Sequence, residues 1–178
     1  MLDIGANVGL FAYHISDSAK KIVCVEPTPD HLHVLKELAK QFPQITVVEA
    51  ALSDQNKITP FYLDDQNTTM NSLVNDWQAN QDPIFVKGKT LKTILDENNL
   101  DTVDFCKIDI EGSEMRVLTP ETINGTNFRI KNWYIEVHYT KDDNLFQNRR
   151  SLIRLFRECG YIAEASKGDE IHVWLEEE

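Results

Sequence analysis

Asp3, Gly5, Asn7 and Gly9 alternate through the run Asp-Ile-Gly-Ala-Asn-Val-Gly at the start of the chain, and Glu26 follows Gly5 by 21 residues. Glycines between a strand and a helix permit a tight turn and let a ligand approach the backbone closely. In open α/β sheets, ligands bind outside the carboxyl ends of the strands. A carboxylate at Glu26, where a second strand ends, can accept hydrogen bonds from two ribose hydroxyls. These features describe a site for an adenosine-containing cofactor. The dinucleotide fingerprint Gly-x-Gly-x-x-Gly is broken, because Asn7 stands at its second glycine. The phosphate loop Gly-x4-Gly-Lys-Ser/Thr is missing as well. An acid ahead of the turn suits a cationic ligand end, with Asp3 meeting an ammonium directly or through water. S-adenosylmethionine has that ammonium, a sulfonium and a ribose, and no phosphate. It is favoured over NAD.

A second set lies further along. Asp109 and Glu111 are two apart, and so are Glu136 and His138. Residues two apart on a strand share a face, so neighbouring strands would bring all four to one cleft. Groups of this kind can position a bound substrate and take a proton from it. His138 has the ordinary pKa of a base near neutrality, with Glu136 or Asp109 to orient it. Asp109, Glu111 and His138 also offer oxygen and nitrogen ligands of the kind a divalent metal accepts. Spacing alone does not establish such a site, and no metal is expected. His31 and His33 are expected in solvent, His14 on the outside of the first helix and His172 on a strand. Trp77 and Phe85 suit sugar stacking or packing in a small cluster. Arg149, Arg150, Arg154 and Arg157 read as a solvated helix face.

These side chains need a frame. The chain has 178 residues, 42% apolar and 26% charged, with a formal charge of −11. That is one globular domain. The acidity argues against nucleic acid and anionic membrane surfaces as partners, and no apolar run is long enough to span a bilayer. Cys24, Cys106 and Cys159 are odd in number and far apart, which suits buried thiols in a reducing, cytoplasmic setting. Strands are expected at Met1–Ile4, Lys21–Glu26, Ile45–Ala51, Val103–Ile110 and Trp133–Tyr139. Helices are expected at Val8–Ser16, after Thr28-Pro29, at Leu91–Asn98, at Glu114–Leu118 and at Asn144–Cys159, the last stopped by Gly160. Thr59–Leu63 and Pro83–Val86 flank a polar loop. Tyr161–Ala165 and Ile171–Leu175 form a closing hairpin. Strand–helix alternation predicts a parallel sheet with right-handed crossovers, and the hairpin adds an antiparallel edge.

Asp3 to Gly9 resembles the glycine motif of class I methyltransferases. More narrowly, the chain resembles the FkbM family. Val25-Glu26-Pro27, Ala51-Leu52-Ser53-Asp54, Met70-Asn71-Ser72, Lys107 to Gly112 and Glu136-Val137-His138 follow in that family's order. The resemblance implies a three-layer Rossmann-like fold with a sheet of about seven strands and a reversed last strand. It implies methyl transfer from S-adenosylmethionine to an oxygen of a small-molecule or carbohydrate acceptor. By position, Asp3, Gly5, Asn7 and Gly9 would hold the methionine end and Glu26 the ribose. Ser53 and Asp54 would lie near the adenine, with Asp54 on its exocyclic amine, and Asp109 and Glu111 beside the methyl group. Members of the family usually carry more chain before the glycine motif, so an N-terminal extension is expected to be missing. The competing functions are a domain that binds S-adenosylmethionine without catalysis and a nicotinamide-dependent oxidoreductase.

Overall fold

The computed structural model describes residues 1–64, 71–74, 82–125, 127–139 and 144–176. Strands β1 (Leu2–Ile4), β2 (Ile22–Glu26) and β3 (Ile45–Glu49) alternate with helices α1 (Leu10–Ile15) and α2 (Pro29–Gln41). Then come β4 (Ala51–Leu52), β5 (Lys57–Phe61), β6 (Ile84–Lys89), α3 (Leu91–Glu97), β7 (Thr102–Val103) and β8 (Cys106–Ile108). Two one-turn helices follow, α4 (Glu114–Val117) and α5 (Pro120–Ile123), and then β9 (Arg129–Ile130) and β10 (Asn132–Glu136). Helix α6 (Leu145–Glu158) leads to β11 (Ile162–Ala165) and β12 (Glu170–Trp174).

The main sheet has seven strands in the order β11-β12-β10-β8-β1-β2-β3. Pairings from β10 through β3 are parallel. Strand β12 runs antiparallel to both β10 and β11. The closing hairpin is therefore at the edge, as expected, but the later strand sits one place inside it and β11 forms the rim.

Alternation along the strands divides the interior. Val23 and Val25 of β2 face a large core with Leu2, Ile4, Ile108, Ile135 and the α6 residues Leu152 and Phe156. Ile22 and Cys24 point the other way, toward Ala12 of α1 and Leu35 of α2. A period of two over a strand covered on both sides puts each side chain of β2 in an interior. Trp133, Phe156 and Tyr161 pack edge-on, with centroids 5.3–6.4 Å apart, and the Tyr161 hydroxyl donates to the Ile130 carbonyl at 2.9 Å. Edge-to-face rings add about 0.5–1.5 kcal/mol per pair beyond their buried area.

Two expected strands are each two pieces. Ile45–Ala51 breaks at Ala50, and β4 leaves for a three-stranded sheet, β4-β6-β5. Val103–Ile110 breaks at Asp104-Phe105, and β7 pairs with β9 in a separate ribbon. The helix stops follow local chemistry. Gly160 takes φ 88 after α6, and the Asn144 side chain caps that helix by accepting from the N–H groups of Phe146 and Gln147. No described helix is long and apolar enough to cross a membrane.

Candidate active site

Strand β1 ends by necessity at Gly5. A Cβ there would lie 1.7 Å from the Asp109 carbonyl oxygen, and φ is 76. Only glycine lets the turn lie this close to the end of β8. The N–H groups of Gly5 and Ala6 both donate to the Val25 carbonyl, at 3.0 and 3.1 Å, which ties the turn to β2. Asn7 also takes a left-handed φ, 51. Asparagine tolerates that region better than most side chains, which accounts for its place where a dinucleotide loop has glycine. Gly9 plays a packing part instead: a Cβ there would meet Leu35 at 2.6 Å and Leu38 at 2.8 Å.

Glu26 closes β2 and is 4% exposed. Its Oε2 accepts from the Asn7 N–H at 2.9 Å. Its Oε1 accepts from the Thr28 N–H at 2.9 Å and faces His31 Nδ1 at 3.3 Å. Burial pushes the carboxyl up, but hydrogen bonds from His31, Thr28 and Asn7 outweigh it and hold Glu26 below the usual range. It is a fixed carboxylate. An ionised carboxylate has about four acceptor positions. The three contacts leave one open on Oε2, toward the cavity that Glu26 lines.

That cavity is lined by Gly5, Asn7 and Glu26, by the apolar Ala50, Leu52 and Phe61, and by Asp109 and Glu111. A ribose, an adenine and a charged tail together need both polar and apolar walls, and this lining has both. Asp3, on β1 just before the turn, adds a second sign of fit, although it is not among the residues lining the cavity. It is fully buried, and neither carboxylate oxygen has a hydrogen-bond partner. Burial raises it to about 6. A buried acid without a partner costs stability, and an ammonium nearby would remove that cost. The residues present therefore fit S-adenosylmethionine.

The second set converges around one imidazole. His138 Nε2 lies 3.3 Å from Glu111, 3.8 Å from Glu136 and 4.0 Å from Asp109. Its Nδ1 lies 2.9 Å from Oε1 of Glu114. Burial alone would lower His138, but Glu114, Glu111 and Asp109 more than reverse that and push it up to about 9. The expected base near neutrality is thus an imidazolium held by carboxylates. Glu111 is pushed up as well, to about 7, through burial and the neighbouring acids, with the imidazole opposing. Glu136 is raised for the same reasons. Lys107 pairs with Asp109 at 3.0 Å. Glu111 itself has φ 51, a strained value for a long side chain.

The structure brings Asp109, Glu111, Glu136 and His138 together, and puts Gly5, Asn7 and Glu26 on the same cavity as Asp109 and Glu111. Asp3, Gly9, Ser53 and Asp54 are not among the residues lining that cavity. Ser53 is buried, and Asp54 faces Arg116 at 3.5 Å. His31, expected in solvent, is 7% exposed because it turns inward onto Glu26. Asn71 lines the cavity and donates to the Thr28 hydroxyl at 3.3 Å, while Ser72 donates to the Glu111 carbonyl. Phe85 is 70% exposed on β6 and is in neither a cluster nor the cavity. Met70 and Trp77 lie outside the described residues.

Besides His31, sequence reasoning did not single out two buried supports of His138. Glu114 is 1% exposed and receives the N–H groups of Ile110 and Gly112 as well as His138. Asn148 of α6 is buried and donates to the His138 carbonyl at 3.0 Å. The only signal for either was a polar residue in line with an inward helix face.

Known folds share this arrangement. An FkbM methyltransferase from Methylobacillus flagellatus superposes with a TM-score of 0.62 at 16% identity, over 98% of this chain and 42% of that one. The chain thus spans less than half the length of that protein. The Methanococcus jannaschii fibrillarin pre-rRNA processing protein gives 0.54 at 14% identity, over 99% of this chain and 66% of that one. The methyltransferase domain of bacterial CtHen1-C gives 0.53 at 12%, over 98% and 87%. At such identities the likeness concerns the fold. No curated protein matches the chain. The methyltransferase FkbM domain, however, matches residues 3–163, from the acid before the glycine turn through the imidazole cluster to β11, and the chain belongs to the FkbM methyltransferase family.

Proposed function

We propose that this chain transfers the methyl group of S-adenosylmethionine to a hydroxyl oxygen of a small-molecule or carbohydrate acceptor. The observation that carries the reading is one cavity lined both by Glu26, fixed as a carboxylate, and by Asp109 and Glu111. Asp3 and the Gly5–Asn7 turn serve the methionine end, and Glu26 the ribose. Bound there, the cofactor supplies an electrophilic methyl and a good leaving group. The protein's task is then alignment, exclusion of water and removal of one proton.

The imidazole cluster suits that last step. Glu111 lines the cavity and is raised to about 7, so it is the group fitted to receive the acceptor's proton. The His138 imidazolium beside it steadies negative charge on the acceptor oxygen. Glu136, 42% exposed, reaches toward solvent and gives the proton a way out.

Calorimetric titration with S-adenosylmethionine, S-adenosylhomocysteine and NAD tests the cofactor. Micromolar binding of the first two alone is the expected result, and preferential binding of NAD would overturn it. Methyl transfer to a panel of sugars and polyols tests the reaction. Tight cofactor binding with no transfer to any hydroxyl acceptor would leave a binding domain in place of an enzyme.

A further inference from the structure

The groups around His138 do more than share protons. Asp109, Glu111 and His138 each present one ligand atom, and the three lie within 4.8 Å of one another. We propose that these three side chains form a divalent-cation site, with Mn2+ or Mg2+ as the ion, at the acceptor end of the cavity.

Geometry supports it first. Adjacent ligands of an octahedral ion with bonds near 2.1 Å stand about 3 Å apart. His138 Nε2 and Glu111 Oε2 are already 3.3 Å apart. Asp109 Oδ1, 4.0 Å from the same nitrogen, needs a small side-chain rotation to close the set, while its Oδ2 stays paired with Lys107 at 3.0 Å.

A second observation is independent of the acids themselves. Metal-ligating histidines almost always direct their other ring nitrogen to a carboxylate or carbonyl, which fixes the tautomer. Here Nδ1 meets Glu114 Oε1 at 2.9 Å. Glu114 is 1% exposed and its other oxygen has no partner. The backbone N–H groups of Ile110 and Gly112 hold the carboxylate in place. Nε2 is thus left pointing at Asp109 and Glu111. Charge agrees, since four carboxylates face one imidazole and Lys107.

A mixed oxygen and nitrogen set suits Mn2+ somewhat better than Mg2+. Binding displaces the His138 proton, because a ligating nitrogen must be free. The ion would then have coordination positions left for the acceptor oxygen and, as a Lewis acid, would take over the charge-stabilising part that the imidazolium plays in metal-free protein. This use of the ion rests on the methyl-transfer reading. Its binding does not, and is measured without cofactor or acceptor.

The test is titration of chelator-stripped protein with Mn2+, followed by the loss of the free-ion electron paramagnetic resonance signal. One ion bound per chain at micromolar concentration is expected. Glu111→Gln and Asp109→Asn should each weaken it at least tenfold, and Glu114→Gln should weaken it less. Glu49→Gln, far along the sheet, should leave it unchanged. Circular dichroism melts of the same samples show that the variants are folded. No binding by the native chain up to millimolar Mn2+, or equal binding by all folded variants, would overturn the site. Cofactor titration of the same samples keeps that result apart from a failure of the methyltransferase reading.

Discussion

The Asn7 N–H donates to Glu26 Oε2 at 2.9 Å, joining the glycine turn to the end of β2 across 19 residues. The carboxylate proposed to hold the ribose therefore also sets the shape of the loop proposed to hold the methionine end. Glu26→Ala should lose both functions. Cofactor affinity is expected to fall at least tenfold, about 1.4 kcal/mol. The abandoned N–H groups of Asn7 and Thr28 should cost a further 1–3 kcal/mol or so of stability. Melting with and without S-adenosylmethionine separates the two effects. A variant still protected as strongly as the native chain would end the ribose assignment.

Asp3 should trade stability for binding. Its folded pKa, about 6, lies above the ordinary 3.8. The folded state therefore holds the proton more tightly than the unfolded one. Stability is greatest below pH 3.8 as far as this group is concerned, and falls as pH rises through 6. The loss is about 3 kcal/mol at neutrality, at 1.36 kcal/mol per unit. Asp3→Asn should raise the melting temperature of the ligand-free protein at pH 7.5, leave it little changed at pH 4 and weaken cofactor binding. A lower melting temperature at pH 7.5 would contradict this account.

Glu114 should be legible through His138. In metal-free protein the imidazole is raised to about 9 by Glu114, Glu111 and Asp109, with Glu136 also facing it. Its stabilising contribution is complete below pH 6.5 and is lost as pH rises through 9. In Glu114→Gln the His138 titration, followed by proton NMR, should drop by at least one unit while the protein stays folded. An unmoved titration would show that Glu114 does not hold the ring.

Gly5→Ala is the severest backbone test. The new methyl would overlap the Asp109 carbonyl, and the left-handed φ adds strain. A loss of roughly 3 kcal/mol or more is expected, read as insoluble or early-melting protein. Gly168→Ala, also at positive φ but on the exposed hairpin turn, should cost only about 1 kcal/mol.

The parallel core, its covering helices and the antiparallel closing hairpin were within reach of sequence patterns, because β2 is apolar on both faces and α2 on one, while the seven strands came only as what the family resemblance implied. What escaped was pairing. The residues around Asp104 look continuous with β8, yet β7 finds β9, a two-residue strand with no periodicity of its own. Ala50 marks a change of sheet that no residue type announces. In the site, Gly5, Asn7, Glu26, Asp109 and Glu111, which line the cavity, were picked out by type and spacing, whereas Thr28, His31 and Ser113, which line it too, were not. Nor were Glu114 and Asn148, since a buried polar residue carries no sign of which group it will meet across the fold. His31 shows the same gap: its helix was clear, but its turn toward Glu26 was not.

The insertion of β12 between β10 and β11 gives the two halves of the site different histories during synthesis. The turn at Gly5 and the end of β2 have their neighbours in place once β8 has emerged. Strand β10, which carries Glu136 and leads to His138, keeps an open edge until Glu170–Trp174 are made and laid alongside it. Only then does the Val137 N–H reach the Asp169 carbonyl, at 3.1 Å. On a growing polypeptide, the cofactor half of the cleft takes shape first and the acceptor half last.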